Sequence, residues 1–237
     1  VGDMMSDISV RIDQVKSSIR QASTKANRNP EDILLLGVTK TVDVDVIEEA
    51  LECGITDVGE NKPQELQRKY GLIGNRAKWH QIGTLQTNKV KYIIDKVDLI
   101  HSLDRMSLAE EINKRAESIG RDIRCLVQVN VSKEESKHGI YVEDLENFVR
   151  ECADKFDRIK IVGLMTMAPD SDDEAEVRSV FRGLKEAFEN IKAMSIEGVE
   201  MKELSMGMSG DYQIAIEEGS TIVRVGTSIF GKRNYNI

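Results

Sequence analysis

One unit recurs along this chain: a short aliphatic or β-branched run, a turn, then a stretch whose apolar residues return at the helix period. That alternation constrains the fold more than any other feature, because parallel strands need crossover connections and helices supply them. The runs fall near 33–39 (ILLLGVT), 55–59, 78–82 (KWHQI), 97–101 (VDLIH), 123–130 (IRCLVQVN), 159–165 (IKIVGLM), 199–204 and 221–225 (TIVRV), with 55–59 and 199–204 the faintest. Two connecting helices are well marked: 104–118, opened by Asp104 as a cap, and 174–193, which carries Val177, Phe181, Leu184, Phe188 and Ile191 in steps of four and three. Ahead of the first strand, Ile8, Ile12, Val15, Ile19, Ala22 and Ala26 share one helix face, and Asn29-Pro30 stops that helix. Eight such units suit a closed (β/α)8 barrel of TIM type, with an additional N-terminal helix over residues 1–30, better than an open doubly wound sheet. No Gly/Ser-rich linker interrupts the pattern, so residues 1–237 read as a single domain.

Composition excludes several classes of function. Hydrophobic residues at 40% and charged residues at 31% describe a globular chain without the apolar run of a membrane span. A formal net charge of −8 repels a phosphate backbone, so nucleic acid is not an expected partner. The start, VGDMMSDISVRIDQV, lacks a secretory signal, and the expected location is cytoplasmic. Cys53, Cys125 and Cys152 form no CxxC pair and read as reduced core residues, while His80, His101 and His138 lack metal-ligand spacing. Nothing suits strand swapping or a zipper, so a monomer is expected.

In a parallel barrel, functional groups gather where strands end. Lys40 follows the first strand in Val38-Thr39-Lys40-Thr41, where a partly buried amine can serve as a nucleophile; the bland reading is a solvated lysine opening a loop. The loop Leu204–Asp211, with Gly207, Ser209 and Gly210, offers backbone N–H groups and a hydroxyl suited to a phosphate, although a helix cap would also explain Ser209. Arg224-Val225-Gly226-Thr227 ends the last strand at the same end of the sheet. Arg224 there needs a partner, and a buried ion pair is the simplest one. Asn61 and His80 end the second and third strands as polar groups at the barrel mouth, with His80 equally readable as a hydrogen-bonded core residue. No Ser/His/Asp order, paired-carboxylate motif, Walker loop or GxGxxG is present, and the acidic run Asp170–Glu176 reads as solvated surface and helix N-terminal acids.

Taken in order, VTKT, GENKPQE, WHQIGTLQTNK, NVSKEESKHGI, GLMTM, LSMGMSGDYQIAI and VRVGTSIFGKR resemble the pyridoxal phosphate homeostasis protein family, from about Leu35 to Arg233. The family's fold is similar to the barrel domain of alanine racemase and of bacterial-type ornithine decarboxylases. The resemblance implies pyridoxal 5′-phosphate (PLP) as cofactor, held as an internal aldimine on Lys40. It implies that Ser209, Gly226 and Thr227 hold the phosphate, that Arg224 faces the pyridine nitrogen, and that Asn61 and His80 lie near the ring. Thr84, where a proline is usual, and Lys62-Pro63, in place of an aromatic–aliphatic pair, depart from the family pattern in loops near the ring. An arginine at the ring nitrogen donates a hydrogen bond but does not readily give up a proton, so the ring is a weaker electron sink than beside an aspartate.

The resemblance therefore implies a PLP-binding regulator or carrier acting in vitamin B6 homeostasis, without a catalytic residue or a metal, and with apo PLP-enzymes as possible acceptors. The alternative is a PLP-dependent amino-acid racemase of the alanine racemase type. Against it, the chain ends at Ile237, with no length for the additional domain that supplies that enzyme's second base, and the mouth of the barrel is expected to stay open. A third reading is a barrel that binds another phosphorylated metabolite non-covalently, with Lys40 as its ion-pair partner.

Overall fold

The first helix, α1 (Asp7–Lys25), buries the face that its periodicity picks out: Ile8, Ile12, Val15, Ile19 and Ala22 are all in the core. Ser6 caps it by accepting from the Ser9 N–H at 3.2 Å. It ends before the expected Asn29-Pro30 stop. Ala26 caps it, only partly buried, and Asn27 then adopts a left-handed conformation (φ 55°) that ends the helical ladder. The computed structural model describes residues 6–232; residues 1–5, part of the segment read for a signal, and Arg233, where the family resemblance ends, lie outside the described residues.

The strands are β1 (Leu34–Val38), β2 (Asp57–Glu60), β3 (Lys78–Gln81), β4 (Leu99–Leu103), β5 (Ile123–Gln128), β6 (Ile159–Met165), β7 (Glu203–Ser205) and β8 (Ile222–Val225). They are parallel and close in chain order, with β8 hydrogen-bonded back onto β1 in the register Leu36 to Arg224. Closure leaves no sheet edge, so the fold is the TIM-type barrel and not the open doubly wound sheet. Connecting helices are α2 (Val44–Glu52), α3 (Pro63–Ile73), α4 (Met106–Ile119), α5 (Val142–Lys155), α6 (Glu174–Ala193) and α7 (Tyr212–Glu217), followed by α8 (Thr227–Phe230) after the last strand. Between β3 and β4 a 3-10 segment, Thr87–Tyr92, replaces a crossover α-helix.

Two local expectations need correction. Asp104 does not cap α4: its carboxylate pairs with Arg105 at 2.6 Å, and Arg105 occupies the cap position without a side-chain bond. The run at 199–204 supplies only two strand residues, Glu203 and Leu204, since β7 is Glu203–Ser205; it packs so closely on β6 that a Cβ added at Gly163 would lie 1.8 Å from the Glu203 carbonyl oxygen. Asp173 does cap α6, accepting from the Ala175 N–H at 3.0 Å, with Glu174 and Glu176 in the first turn as the acidic run suggests.

The larger core lies between the outer faces of the strands and the helices, and α1 packs along α7 and α8. A smaller cluster fills the barrel interior: Leu36, Leu99, Leu126, Val162, Met165 and Ile222. Cys125 and Cys152 are buried free thiols, whereas Cys53 is only partly buried. Among the described residues no helix is long and apolar enough to cross a membrane.

Candidate functional site

A cavity of about 480 Å³ opens at the C-terminal ends of the strands. Lys40 after β1, Asn61 after β2, Asn130 after β5, Met167 after β6, Met208 after β7 and Arg224 of β8 all line it. A wider hollow of about 810 Å³, between α6 and the starts of β7 and β8, lies at the opposite end of the strands and holds none of these groups. Chemistry therefore favours the smaller cavity.

Lys40 is half-buried, and the backbone before it is held tightly. The Thr39 N–H donates to the Gly59 carbonyl at 3.0 Å, and the Thr39 hydroxyl donates to Glu60. A second lysine, Lys69 of α3, is fully buried behind this strand end. Its Nζ donates to the Thr39 carbonyl at 2.7 Å and to Glu60 Oε2 at 2.9 Å. Thr41, next along the chain, takes a left-handed conformation (φ 61°). On β3, Gln81 steadies the neighbouring wall, donating through Nε2 to the Asn61 carbonyl at 2.7 Å and the Gly83 carbonyl at 3.2 Å.

Arg224 is 3% exposed, and no carboxylate lies within ion-pair distance of it among the described residues. The buried ion pair expected of a strand arginine is absent. Its NH1 donates to Ser205 Oγ at 2.6 Å and its NH2 to the Thr166 carbonyl at 3.1 Å. Burial brings its pKa down to about 10, partly countered by the field of Asp211, so the guanidinium stays charged at neutral pH. A buried cation without a contacting anion on a cavity wall can receive an electron-rich group.

His80 does not line the cavity. It lies in the barrel interior, where Nε2 meets Asp57 Oδ2 at 2.7 Å and Nδ1 meets His101 Nε2 at 2.8 Å. His101 Nδ1 in turn meets Ser205 Oγ at 2.9 Å.

Ser209 is not a helix cap: Asp211 holds the cap position of α7 and accepts from the Met208 N–H at 2.7 Å. The Ser209 hydroxyl instead accepts from the N–H groups of Gly226 and Ser228, each at 3.3 Å, joining the loops after β7 and β8 beside Met208. Thr227 is exposed next to them. Gly207 (φ 103°) lets the loop after β7 pack closely on α7, since a Cβ there would lie 2.7 Å from the Ala215 Cβ. Of the seven expected residues, Lys40, Asn61 and Arg224 line the cavity, while Ser209, Gly226 and Thr227 form the adjoining loop pair.

Sequence reasoning missed the loop after β5, although its motif carries part of the resemblance. Gln128, Asn130, Ser136, Lys137 and His138 line the cavity. Asn130 anchors this loop by donating through Nδ2 to the carbonyls of Glu134 at 2.8 Å and Lys137 at 3.3 Å. Asn130 Oδ1 is buried without a hydrogen-bond partner, and the buried Lys137 Nζ pairs with Glu134 at 3.4 Å. Among the described residues no His, Cys, Asp or Glu cluster could hold a metal ion.

Residues 10–234 match the family model described as alanine racemase, N-terminal domain. The pyridoxal phosphate homeostasis protein of Aquifex aeolicus is 44% identical over 228 residues, covering 95% of this chain and 98% of that protein. The structure of PipY, the COG0325 family member of Synechococcus elongatus PCC7942, with PLP bound, superposes with a TM-score of 0.83 at 30% identity, covering 95% of this chain and 100% of that one. An alanine racemase of Clostridium difficile 630 shares the fold, with a TM-score of 0.73 at 16% identity over 93% of this chain and 58% of its own. By near full-length identity to its relatives, the chain belongs to the pyridoxal phosphate homeostasis protein family.

Proposed function

We propose that this protein binds PLP covalently through Lys40 and serves PLP homeostasis by holding and releasing the cofactor. The observation that carries the reading is that a half-buried lysine and a buried, carboxylate-free arginine line one cavity beside a hydroxyl-bearing loop pair. The residues present fit the cofactor's chemistry. PLP supplies an aldehyde that condenses reversibly with a primary amine, releasing water. Lys40 offers the amine, and Arg224 an N–H donor for the ring nitrogen. Ser209 and Thr227 add hydroxyls for the phosphate, and Gly226 a backbone N–H. The unpartnered Asn130 Oδ1 is a further polar atom on the cavity wall that a polar ligand would satisfy. Asn61 borders the same space, whereas His80 acts from behind the wall.

The relatives support the reading through what they are called and, in PipY, through the bound PLP. An Arg partner restrains carbanion chemistry at the ring, which favours a carrier over an enzyme. The test is borohydride reduction of the PLP-loaded protein, followed by peptide mapping. The label should lie on a peptide containing Lys40 and be absent from Lys40→Ala, which retains the fold because its side chain packs little of the core. Label on another lysine, or a visible spectrum unchanged in Lys40→Ala, would overturn the assignment.

A further inference from the structure

Five polar side chains from five strands are buried in contact with one another: Asp57, His80, His101, Ser205 and Arg224. They form one unbranched chain of contacts between 2.6 and 2.9 Å, running from a carboxylate to the guanidinium on the cavity wall. Its proton arrangement follows from donor counting. Arg224 can only donate, so Ser205 Oγ accepts from it and its hydroxyl proton is free to point at His101 Nδ1. His101, accepting there, carries its proton on Nε2 and donates to His80 Nδ1. His80 then carries its proton on Nε2 and donates to Asp57. Every proton finds an acceptor in this arrangement. If His80 instead donated from Nδ1, His101 would donate to Ser205, and the serine proton would be left without a partner.

We propose that Asp57, His80, His101 and Ser205 are a positioning relay that fixes Arg224 as a donor aimed into the cavity and supplies a remote counter-charge to it. The proposal rests on the PLP reading above. Electrostatics agree with the geometry. Burial, reinforced by the charge of Arg224, holds His101 well below the usual histidine pKa, so it stays neutral. Burial pushes the Asp57 carboxyl up, but hydrogen bonds from His80 and Thr56, with the nearby charge of Lys78, bring it below its ordinary value, so it stays ionised. Arg224 faces Asp211 from the β7–α7 loop as well as the relay. Its bonds to Ser205 and Thr166 use two of its five N–H donors, leaving the others for a ligand. A buried polar cluster that served packing alone would need neither this single proton direction nor an end on the cavity wall.

The test has two arms. Nitrogen-15 NMR of the imidazoles in ligand-free protein should show both protonated on Nε2, with the His101 signals altered in Ser205→Ala. A His101 proton on Nδ1 in the unaltered protein would overturn the relay whatever binds in the cavity. In PLP-loaded protein, Asp57→Asn keeps an acceptor for His80 but removes the negative end. The site becomes more positive, and the pH midpoint of the visible band should fall by about half a unit, roughly threefold in the ionisation constant. Ser205→Ala should weaken PLP retention, and Ser205→Thr, which keeps the hydroxyl, should restore it. If Ser205→Ala fails to fold, Asp57→Asn and Ser205→Thr carry the test. Identical titrations and retention in all variants would overturn the relay while leaving PLP binding intact. Absence of any visible band in the unaltered protein would overturn the PLP reading, and the NMR arm would still decide the relay.

Discussion

Replacing Lys69 by Met tests how firmly the strand end beside Lys40 is held. The lysine is 1% exposed and makes two bonds, to the Thr39 carbonyl at 2.7 Å and to Glu60 Oε2 at 2.9 Å. Met fills nearly the same volume, so little packing is lost. The change leaves the Glu60 carboxylate, itself 1% exposed, with the Thr39 hydroxyl but no cation. Breaking one side of a buried ion pair costs about 3–5 kcal/mol, because the remaining charge is desolvated without compensation. For a domain of this size each kcal/mol lowers Tm by roughly 2–4 °C, so Lys69→Met should melt about 6–20 °C lower. Lys69→Met combined with Glu60→Gln removes the stranded charge and should recover most of that loss. Urea and thermal denaturation of the ligand-free protein, followed by two spectroscopic probes, measure both variants. A loss below about 1 kcal/mol in the single variant, or a double variant no more stable than the single, would refute the reasoning.

Acidification should destabilise the protein through His101. Its folded pKa is depressed, so below roughly pH 6.5 the unfolded chain binds a proton that the folded state does not, and stability drops by about 1.4 kcal/mol per pH unit until the folded pKa is reached. Asp57, also depressed, adds a loss at lower pH in the same direction. Urea denaturation between pH 7 and 5 should show a shallower slope for His101→Gln, and equal slopes would contradict the assignment. Ser209→Ala and Thr227→Val should each weaken PLP retention by ~1.5–3 kcal/mol, roughly one to two decades, in equilibrium titrations. Mixing PLP-loaded protein with an apo PLP-enzyme, and separately with L- and D-alanine, should give cofactor transfer without racemisation; turnover of order 1–10³ per second would make this an enzyme instead.

The barrel was legible because both faces of its strands are buried, which writes them as unbroken aliphatic runs such as 33–39 and 159–165, and because α6 carries a long helical period with an acidic first turn. The short strands were less legible for a physical reason. β7 is three residues long and begins only at Glu203, so the pattern of 199–204 overstates it. Helix ends set by backbone conformation, as at Asn27, or by an acid already committed to a neighbouring arginine, as at Asp104, carry no periodic signal.

The site was legible in its strand-end residues and illegible in what supports them. Lys40, Asn61 and Arg224 could be found because strand ends point to one mouth. The relay could not be assembled that way, since its partners are remote in sequence: His101 and Ser205 are 104 residues apart. Weighed singly, His80 reads as a core histidine and Arg224 as half of an ion pair, and each reading is incomplete. A usable signal was nonetheless present. In a closed parallel barrel an inward-facing polar residue has no water to turn to, so Asp57, His80, His101, Ser205 and Arg224 must satisfy one another or a ligand. The chain contributes one guanidinium at one end and one carboxylate at the other, with three groups between them that both donate and accept, so the set closes as a directed chain. Its only charged end on the cavity wall is the guanidinium, which is why the interior of this barrel bears on the electrostatics of its mouth.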